Sequence, residues 1–524
     1  MNIRKLLALT MTLSLLLTAC GGSSSAPPAP GATPSDTASV VPAQGERVIK
    51  DNINAVLKGE PSNIDPHGNL ELVAFAVQTQ IFDTLLRKDA DGNIIPWVAK
   101  SWETIDDTTV RFFLRDDVHF HNGDKMTAED VRFTVQRACE KPSSASIFAN
   151  FDPKKTAVVD EYTIDIATKG PFASIFNYLC STRGGIVPKG VLETVGDDAF
   201  GRDPVGTGAF KFQNWVTGTE LTVARNDAFW GDKPASSSIT FKFITETATR
   251  AIELESGAAD IIFDPASSDM KRLSENPNLT VHVGPSFSTM QMMMNLSDPT
   301  LQDIRVRQAL QYALDIPGIT EAVFGEYARP ADGVIADTIF SYKSYGLPEY
   351  NPDKARALLA EAGYASGLTL VMALANAKET QDTAEICQNM WNAVGINIDM
   401  KITAMQEFQA SCRRGQNQVM ASAANYTTGD PGHALYQYDT RGFGSSLVSP
   451  SDSKVDGMLD EGSRTYDDQA RIKVYQELQD YLHDQVYIIP IADKMIMYAT
   501  SNKVENFPCD PGNTPYLAGV VVYE

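Results

Sequence analysis

The amino-acid sequence predicts an α/β protein with more than one domain, and three observations support this class. Strand-like segments at residues 368–372 and 396–402 flank a helix-like segment at residues 381–394, which is the β-α-β order of an α/β lobe. Residues 91–139 change hydrophobic period twice and end in a helix without an intervening linker. Residues 46–524 are too many for one hydrophobic core, so we expect two or three domains.

Residues 91–139 predict two strands followed by a capped helix. The first strand, at residues 110–115, alternates too loosely for a one-sided strand, which indicates burial on both faces. A second strand is predicted at residues 118–121, before a glycine-containing turn. The helix that follows begins with Thr127 and Asp130, a spacing that resembles a capping box.

The N-terminus has the pattern of an exported lipoprotein. Arg4 and Lys5 precede an apolar run at residues 6–17, and small residues follow before Cys20. The run is shorter than the about 20 residues that span a bilayer, which argues against the alternative of a membrane anchor helix. Leu-Thr-Ala-Cys resembles the bacterial lipobox. That resemblance implies that residues 1–19 are a signal peptide and that Cys20 carries lipid as the mature N-terminus.

Residues 20–45 predict a disordered tether, because they are rich in Pro, Ala and Ser and contain no aromatic residue. The net charge of the chain is −22, and removal of Arg4 and Lys5 brings it to about −24. A surface of this sign repels nucleic acid and anionic lipid, so we expect neither as a binding partner. Contact with the membrane is then expected through the lipid anchor only.

The cysteines and histidines do not indicate a metal site. Five cysteines remain after Cys20, no pair has CxxC spacing, and the odd number leaves at least one free thiol. His119 and His121 fall on one face of a predicted strand, but they lack a nearby cysteine or third histidine, so we interpret them as exposed strand residues. We expect no metal and no cofactor. Two disulfide pairings stay open: Cys387 with Cys412, and Cys139 with Cys180.

A series of short motifs follows the tether in a fixed order: Ile64-Asp65-Pro66-His67, Phe82-Asp83-Thr84-Leu85-Leu86, Ala99-Lys100-Ser101-Trp102-Glu103, Thr127-Ala128-Glu129-Asp130-Val131, Pro204-Val205-Gly206-Thr207-Gly208-Ala209-Phe210 and Gly257-Ala258-Ala259-Asp260. Together they resemble the family 5 extracellular solute-binding proteins, the peptide-, dipeptide- and nickel-binding family of ABC importers. The resemblance covers the chain after Gln44.

The resemblance implies a two-lobed periplasmic-binding-protein-like fold (type II, cluster C-like) with an extra third region. Lobe I would be discontinuous, lobe II continuous, and the ligand would be enclosed between them. The implied boundaries are residues 46–86, 185–295 and 486–524 for lobe I, 87–184 for its accessory region and 296–485 for lobe II. The implied protein is a monomer, exported and lipid-anchored to the outer face of the cell membrane or in the periplasm, that serves an ABC permease and ATPase complex.

Family position suggests the ligand-binding residues His67, Tyr426, Thr427 and Asp430. Met290 and Met292, just before Asn295, are further candidates together with Asn295, because flexible thioethers can line an adaptable pocket. In dipeptide-binding members an aspartate three residues before an Asp-Pro pair holds the peptide ammonium, and that position is Thr427 here. The arginine that takes the peptide carboxylate would fall near Leu374, and no arginine lies between Arg356 and Arg413. Since an unpaired buried charge costs several kcal/mol, we expect a peptide-like solute held by other contacts.

Some of these residues have other interpretations, and so does the whole chain. Methionines such as Met290 and Met292 often fill a core, and Asp430 before Pro431 would also suit a turn cap. A nickel chelate or an oligosaccharide is the alternative ligand. We expect no enzyme: Ser451 and Lys454 fit S-x-x-K without a K-T-G partner, and no G-x-S-x-G, P-loop or H-E-x-x-H occurs. An exported hydrolase is the alternative from another class.

Overall fold

The computed structural model describes residues 47–89, 92–145, 147–441 and 451–524. The predicted signal peptide, the predicted tether and Cys20 lie outside these described residues. The described strands, numbered in chain order, are Asn52–Leu57 (β1), Leu86–Lys88 (β2), Ile94–Pro96 (β3), Ala99–Asp106 (β4), Thr109–Leu114 (β5), Ala157–Asp160 (β6), Thr163–Ala167 (β7), Phe210–Val216 (β8), Glu220–Arg225 (β9), Ser238–Phe243 (β10), Ile261–Phe263 (β11), Leu279–Met294 (β12), Ala328–Pro330 (β13), Leu368–Ala375 (β14), Ile396–Thr403 (β15), Val419–Asn425 (β16), Ile488–Ser501 (β17), Val504–Glu505 (β18) and Val521–Val522 (β19).

The described α-helices are Leu72–Ile81 (α1), Ala128–Glu140 (α2), Pro142–Ala145 (α3), Ile175–Tyr178 (α4), Lys189–Val195 (α5), Asp197–Phe200 (α6), Thr247–Glu255 (α7), Ser267–Ser274 (α8), Pro299–Gln302 (α9), Ile304–Tyr312 (α10), Ile316–Phe324 (α11), Pro352–Glu361 (α12), Lys378–Ala393 (α13), Met405–Arg413 (α14), Pro431–Leu435 (α15), Ser453–Arg464 (α16) and Asp468–Asp484 (α17). The predicted β-α-β unit is therefore present as β14, α13 and β15.

One large sheet runs through the molecule. It has 11 strands in the order β15-β14-β16-β12-β17-β11-β1-β10-β9-β8, with β13 beside β17. The centre of the sheet is buried on both faces: on β12, for example, Met292 packs into one core and Met293 into another. The outer strands β15 and β8 have exposed residues as well. A mixed sheet packed against helices is the α/β architecture that the sequence predicts.

Two long strands, β12 and β17, connect the two halves of the large sheet. The first part of β12 pairs only with β17, whereas its second part, from Ser288, also pairs with β16. The pairing of β12 with β17 shifts register between Pro285 and Thr289. Each half has its own cores, so the protein has two lobes that share one sheet at these strands.

A separate sheet of four strands, in the order β4-β5-β7-β6, lies within residues 87–184. It packs with α2 around a core that contains Phe112 and Val131. The start of α2 follows the predicted capping box, since the Asp130 carboxylate accepts hydrogen bonds from Thr127 N at 3.0 Å and from Thr127 Oγ1 at 2.9 Å. The domain boundaries given above stay a prediction.

Two local predictions for residues 91–139 are wrong. Strand β5 is not buried on both faces: Phe112 is fully buried, but Arg111 on the other face is half-buried and pairs with Asp165 at 2.7 Å. The predicted strand at residues 118–121 is only an isolated bridge from His119. These residues leave the sheet because the backbone turns to meet another segment of the chain.

That segment contains Gly206, where the chain passes very close to the end of α1. His121 N donates to Gly206 O at 2.8 Å, and Gly206 N donates to His121 Nδ1 at 3.2 Å. A β-carbon at Gly206 would lie 2.1 Å from the carbonyl oxygen of Ile81, so only glycine fits. His121 is therefore half-buried and bonded rather than an exposed strand residue, and burial lowers its pKa to about 4.

The five cysteines of the described residues are free thiols, so neither candidate disulfide is formed. Within the described residues no helix is long and apolar enough to cross a membrane. In the same part of the chain, no group of three or more His, Cys, Asp and Glu side chains has an arrangement that would hold a metal ion.

Candidate ligand-binding site

The loop between β16 and α15 lies where the two lobes meet. It carries three predicted ligand-binding residues, Tyr426, Thr427 and Asp430. Lys88, at the end of β2 in the other lobe, donates from Nζ to the carbonyl oxygen of Thr428 at 2.6 Å. Residues far apart in the chain therefore contact the same short segment, residues 426–430, which we call the 426–430 loop.

Asp430 anchors the 426–430 loop through several buried polar contacts. Its carboxylate is fully buried and forms a two-bond salt bridge with Arg471, at 2.8 and 3.0 Å. It also accepts from Ser174 Oγ at 2.9 Å and Asn177 Nδ2 at 3.0 Å, and it caps α15 by accepting from Gly432 N at 2.8 Å. The turn-cap interpretation of Asp430 is confirmed. The same carboxylate also links the 426–430 loop to Asn177 of α4 and to Ser174, which directly precedes α4.

Next to Asp430 the site has polar atoms that lack partners. Tyr426 OH accepts from Gln437 Nε2 at 2.6 Å, and Gln437 Oε1 accepts from Gln291 Nε2 at 3.2 Å. Three buried oxygens in this region have no hydrogen-bond partner: Gln291 Oε1, Asn425 Oδ1 and Thr427 Oγ1. Seven other buried side-chain oxygens among the described residues also lack one, but they are scattered over the protein. Buried polar atoms are nearly always bonded, so a bound molecule could supply partners to the three that lie on this loop and the neighbouring strands.

Arg183 lies on a short 3₁₀ helix at Thr182–Gly184, shortly after α4, whose Tyr178 ring centroid is 6.1 Å from that of His433. The residue is 7% exposed, and its Nε is buried without a partner among the described residues. Burial lowers the pKa of Arg183 to about 10. Burial and the charge of Arg183 lower the pKa of His433 to about 3, and His433 Nδ1 lies 3.0 Å from Thr428 Oγ1. Arg183 is thus a buried cation in the neighbourhood of His433 and the 426–430 loop.

Two further cations, Arg87 and Lys88, lie on the hairpin strand β2. The Arg87 guanidinium stacks between aromatic rings, with Cζ 4.1 Å from the Trp97 centroid and 3.5 Å from the Tyr516 centroid. Burial lowers the pKa of Lys88. In the described part of the chain neither Arg87, Lys88 nor Arg183 forms a salt bridge with a carboxylate, which is unusual for buried or half-buried cations.

The structure places His67 in a different cluster. Its Nδ1 lies 2.7 Å from Arg137 Nη1, and Arg137 also binds the carboxylates of Asp65, at 2.5 and 2.8 Å, and Asp197, at 2.6 Å. This cluster borders a surface cavity of about 810 Å³ between residues 62–70, 141–143 and 197–202. Burial lowers the pKa of His67 to about 3, so the ring is neutral.

The other predicted ligand-binding residues are fully or almost fully buried. Met290 and Met292 are 0% exposed and pack in the core of the second lobe, the role that competed with ligand contact in the sequence. Asn295 ends β12, where its side chain accepts from Ser297 N at 3.0 Å and donates to Asn417 O at 3.0 Å. Ligand contact by these residues and by His67 stays a prediction, and only Tyr426, Thr427 and Asp430 share one loop.

Sequence reasoning missed Arg183, Arg87, Lys88 and Gln291. A signal for Arg183 was present, because the chain contains no acidic residue between Asp165 and Glu193, so no local carboxylate can pair with it. Its opposing groups come from a segment about 250 residues away in sequence. The anchor arginine expected near Leu374 is absent, and Leu374 is a fully buried core residue.

Asp493 lies on β17 near the register shift that joins the lobes. It is 4% exposed and accepts from Thr289 Oγ1 at 2.7 Å. Burial, assisted by the carboxylate of Asp337, raises the pKa of Asp493 to about 7. The side chain is therefore protonated in the folded protein at a pH where the unfolded chain has already ionised it.

We expect Asp493→Asn to change the pH dependence of stability. Between the unfolded pKa of about 3.9 and the folded pKa of about 7, the folded state binds more protons, so wild-type stability falls as pH rises. The limiting slope for one proton is about 1.4 kcal/mol per pH unit. Urea unfolding at pH 5 and pH 8 should show that the variant gains stability relative to wild type at pH 8. An equal difference at both pH values would contradict a raised pKa, and Asp353→Asn, whose side chain is 94% exposed, is the control.

A two-lobed α/β molecule with a candidate site between its lobes has the architecture expected of a solute-binding protein. Residues 93–445 match the family model for bacterial extracellular solute-binding proteins, family 5 Middle. The chain belongs to this family, and the resemblance noted in its motifs is confirmed. Members of this family are solute-binding proteins and not enzymes, as the sequence predicts.

Known proteins are similar over most of the chain. The glutathione-binding protein GsiB of Salmonella paratyphi A is 28% identical over 465 residues, which cover 85% of this chain and 90% of that protein. The Helicobacter pylori periplasmic binding protein DppA, solved with peptide STSA, superimposes with a TM-score of 0.81 at 21% identity, covering 91% of this chain and 99% of that one. Staphylococcus aureus NikA, solved with Ni(L-His)2, gives 0.78 at 22% identity, covering 90% and 100%.

Proposed function

We propose that this protein is the substrate-binding lipoprotein of an ABC importer that captures a peptide-like solute between its lobes and delivers it to the membrane permease. The observation that supports this proposal most is the set of unsatisfied buried oxygens on Gln291, Asn425 and Thr427. Peptide backbones offer the amide donors that these oxygens lack. The ligands of two similar proteins, glutathione for GsiB and the peptide STSA for DppA, are also peptides.

In this proposal the 426–430 loop is the centre of the site. Thr427 replaces the carboxylate that would hold a peptide ammonium, and Asp430 is committed to Arg471. The ligand would therefore be held by hydrogen bonds to neutral groups and to the unpaired cations. A nickel chelate is the alternative suggested by the similarity to NikA, and an oligosaccharide is the other.

The proposal includes the cellular location. Cys20 would be lipidated after removal of residues 1–19, and residues 20–45 would tether the body to the outer face of the cell membrane. The body would be divided into residues 46–86, 185–295 and 486–524 as lobe I, 87–184 as its accessory region and 296–485 as lobe II. It would act as a monomer with its permease and ATPase complex.

Mass spectrometry of the protein purified from its own membranes tests both parts of the proposal. Native spectra should show a bound peptide-like molecule that is released on denaturation, and the N-terminal fragment should begin at Cys20 with the mass of attached acyl chains. A released nickel chelate or sugar would overturn the proposed ligand class, and turnover of the released molecule would overturn the binding role. An unmodified Cys20 would overturn the lipid anchor alone.

A further inference from the structure

Among the described charged side chains of the lobe boundary, Arg183 has no carboxylate close to it. Asp430 is already paired with Arg471. Asp510, whose carboxylate accepts from Gly512 N at 2.6 Å, and Asp83, which accepts from Trp97 Nε1 at 2.7 Å, lie in the region of Arg87 and Lys88. Arg183 is thus a local positive charge without such a neighbour, although the chain as a whole has a net charge of −22. Such a contrast between a site and its surface indicates the charge of the molecule bound there.

Lys88 contacts the 426–430 loop directly, whereas Arg183 is connected to it through Tyr178 and His433. Lys88 reaches Thr428 O at 2.6 Å. Tyr178 of α4, shortly before Arg183, has its ring centroid 6.1 Å from that of His433, and His433 Nδ1 lies 3.0 Å from Thr428 Oγ1. Phe75 lies under the Arg183 guanidinium, whose Cζ is 5.7 Å from the ring centroid. The ring and the 3₁₀ helix hold the guanidinium without neutralising it. A buried cation without an anion is costly, so an anion that joined Arg183 would lower the free energy of this arrangement.

We propose that the site binds a solute that bears a carboxylate, and that Arg183 is the residue that takes this carboxylate. The guanidinium presents paired N–H donors that match the two oxygens of a carboxylate, and one polar atom of the side chain, Nε, is buried and unbonded. The anchor thus comes from residues 182–184, not from the core strand around Leu374. Lys88 and Arg87 extend the positive region toward β2. This assignment rests on the proposed function and adds that the peptide-like ligand is acidic.

Calorimetric titration with two matched pairs of probes tests the assignment. The first pair is glutathione and its diethyl ester, and the second is trialanine and trialanine amide, so that each pair differs in carboxylate charge and shares a backbone. Wild type should bind the acid of at least one pair about 10- to 100-fold more tightly than its neutral partner, the range of a charged hydrogen bond. Arg183→Gln should weaken the acid by the same factor and leave the neutral partner unchanged.

Two controls separate a specific anchor from a structural role. Arg183→Lys keeps the charge but loses the planar fork, so it should recover part of the affinity for the acid. Arg356→Gln removes an exposed arginine on α12 and should bind as wild type does. Melting temperatures of all variants, measured without probe, show that each is folded.

The outcomes distinguish the inference from the proposed function. Equal binding of acid and neutral partner, with no effect of Arg183→Gln, overturns the carboxylate assignment and leaves the peptide-like ligand standing. If neither acid binds and the co-purified molecule is a neutral sugar, both proposals fail. If that molecule is a non-peptide acid whose affinity falls in Arg183→Gln, the carboxylate assignment is supported and the peptide-like ligand is overturned.

Discussion

Arg471→Ala should lower the free energy of unfolding by about 3–5 kcal/mol, because it leaves the Asp430 carboxylate buried and without its cation. The two side chains are 4% and 0% exposed. Loss of the guanidinium would also remove the hydrogen bond that Ser174 Oγ accepts from Arg471 Nη2 at 2.5 Å. Urea unfolding followed by circular dichroism measures the loss.

The size of the effect depends on burial, and two further variants check this. Lys378→Ala breaks an exposed pair with Asp382, whose side chains are 83% and 36% exposed, and should cost under about 0.5 kcal/mol. Combining Asp430→Asn with Arg471→Met removes both charges and should recover part of the loss. A cost for Arg471→Ala as small as that for Lys378→Ala would show that the Asp430 carboxylate reaches water.

Gly206→Ala should destabilise the protein by about 3 kcal/mol or more, at the upper end of the usual cost of overpacking. The added carbon would lie 2.1 Å from the Ile81 carbonyl oxygen, and a backbone atom cannot rotate away as a side chain can. The movement would also strain the hydrogen bonds between Gly206 and His121. The free energy of unfolding in urea is again the measurement.

Gly190→Ala is the matched control for this position. A β-carbon at Gly190 meets nothing within 4 Å, and the residue lies in the first turn of α5. Alanine there should be neutral or stabilise by up to about 1 kcal/mol, because it restricts the unfolded chain and favours the helix. If both substitutions had the same effect, close backbone approach would not be the reason for glycine at position 206.

Local chemistry was readable from the sequence where neighbours in the chain decide it. The start of α12 follows from Asn351-Pro352: Asn351 Oδ1 accepts from Lys354 N at 2.9 Å, and Gly363 has a φ of 92° just after the end. The strands around α13 were predicted for the same reason, since hydrophobic period is a local property. The class of fold and the family followed from these short patterns.

The candidate site was only partly predictable, because its contacts join distant segments. Family position indicated the 426–430 loop, yet the partners of Asp430 are Arg471 and Ser174, and the latter is 256 residues away. His67 was assigned to the cleft by position, but it faces Arg137, on a helix 70 residues later. The sequence shows that no acidic residue lies near Arg183 in the chain, but only the structure shows that no carboxylate of a distant described segment pairs with it.

The contacts around α4 also bear on how the protein discriminates between solutes. Ala173 N donates to Ser463 O at 2.8 Å, Phe172 N donates to Tyr466 OH at 3.1 Å, and Ser174 and Asn177 bind Asp430. None of these contacts involves a ligand, so they contribute equally to the empty and the filled protein. A ligand shifts a conformational equilibrium only by its own difference in affinity for the two states. The contacts of residues 172–177 therefore stabilise this arrangement for every solute alike, and discrimination has to come from groups that touch the solute.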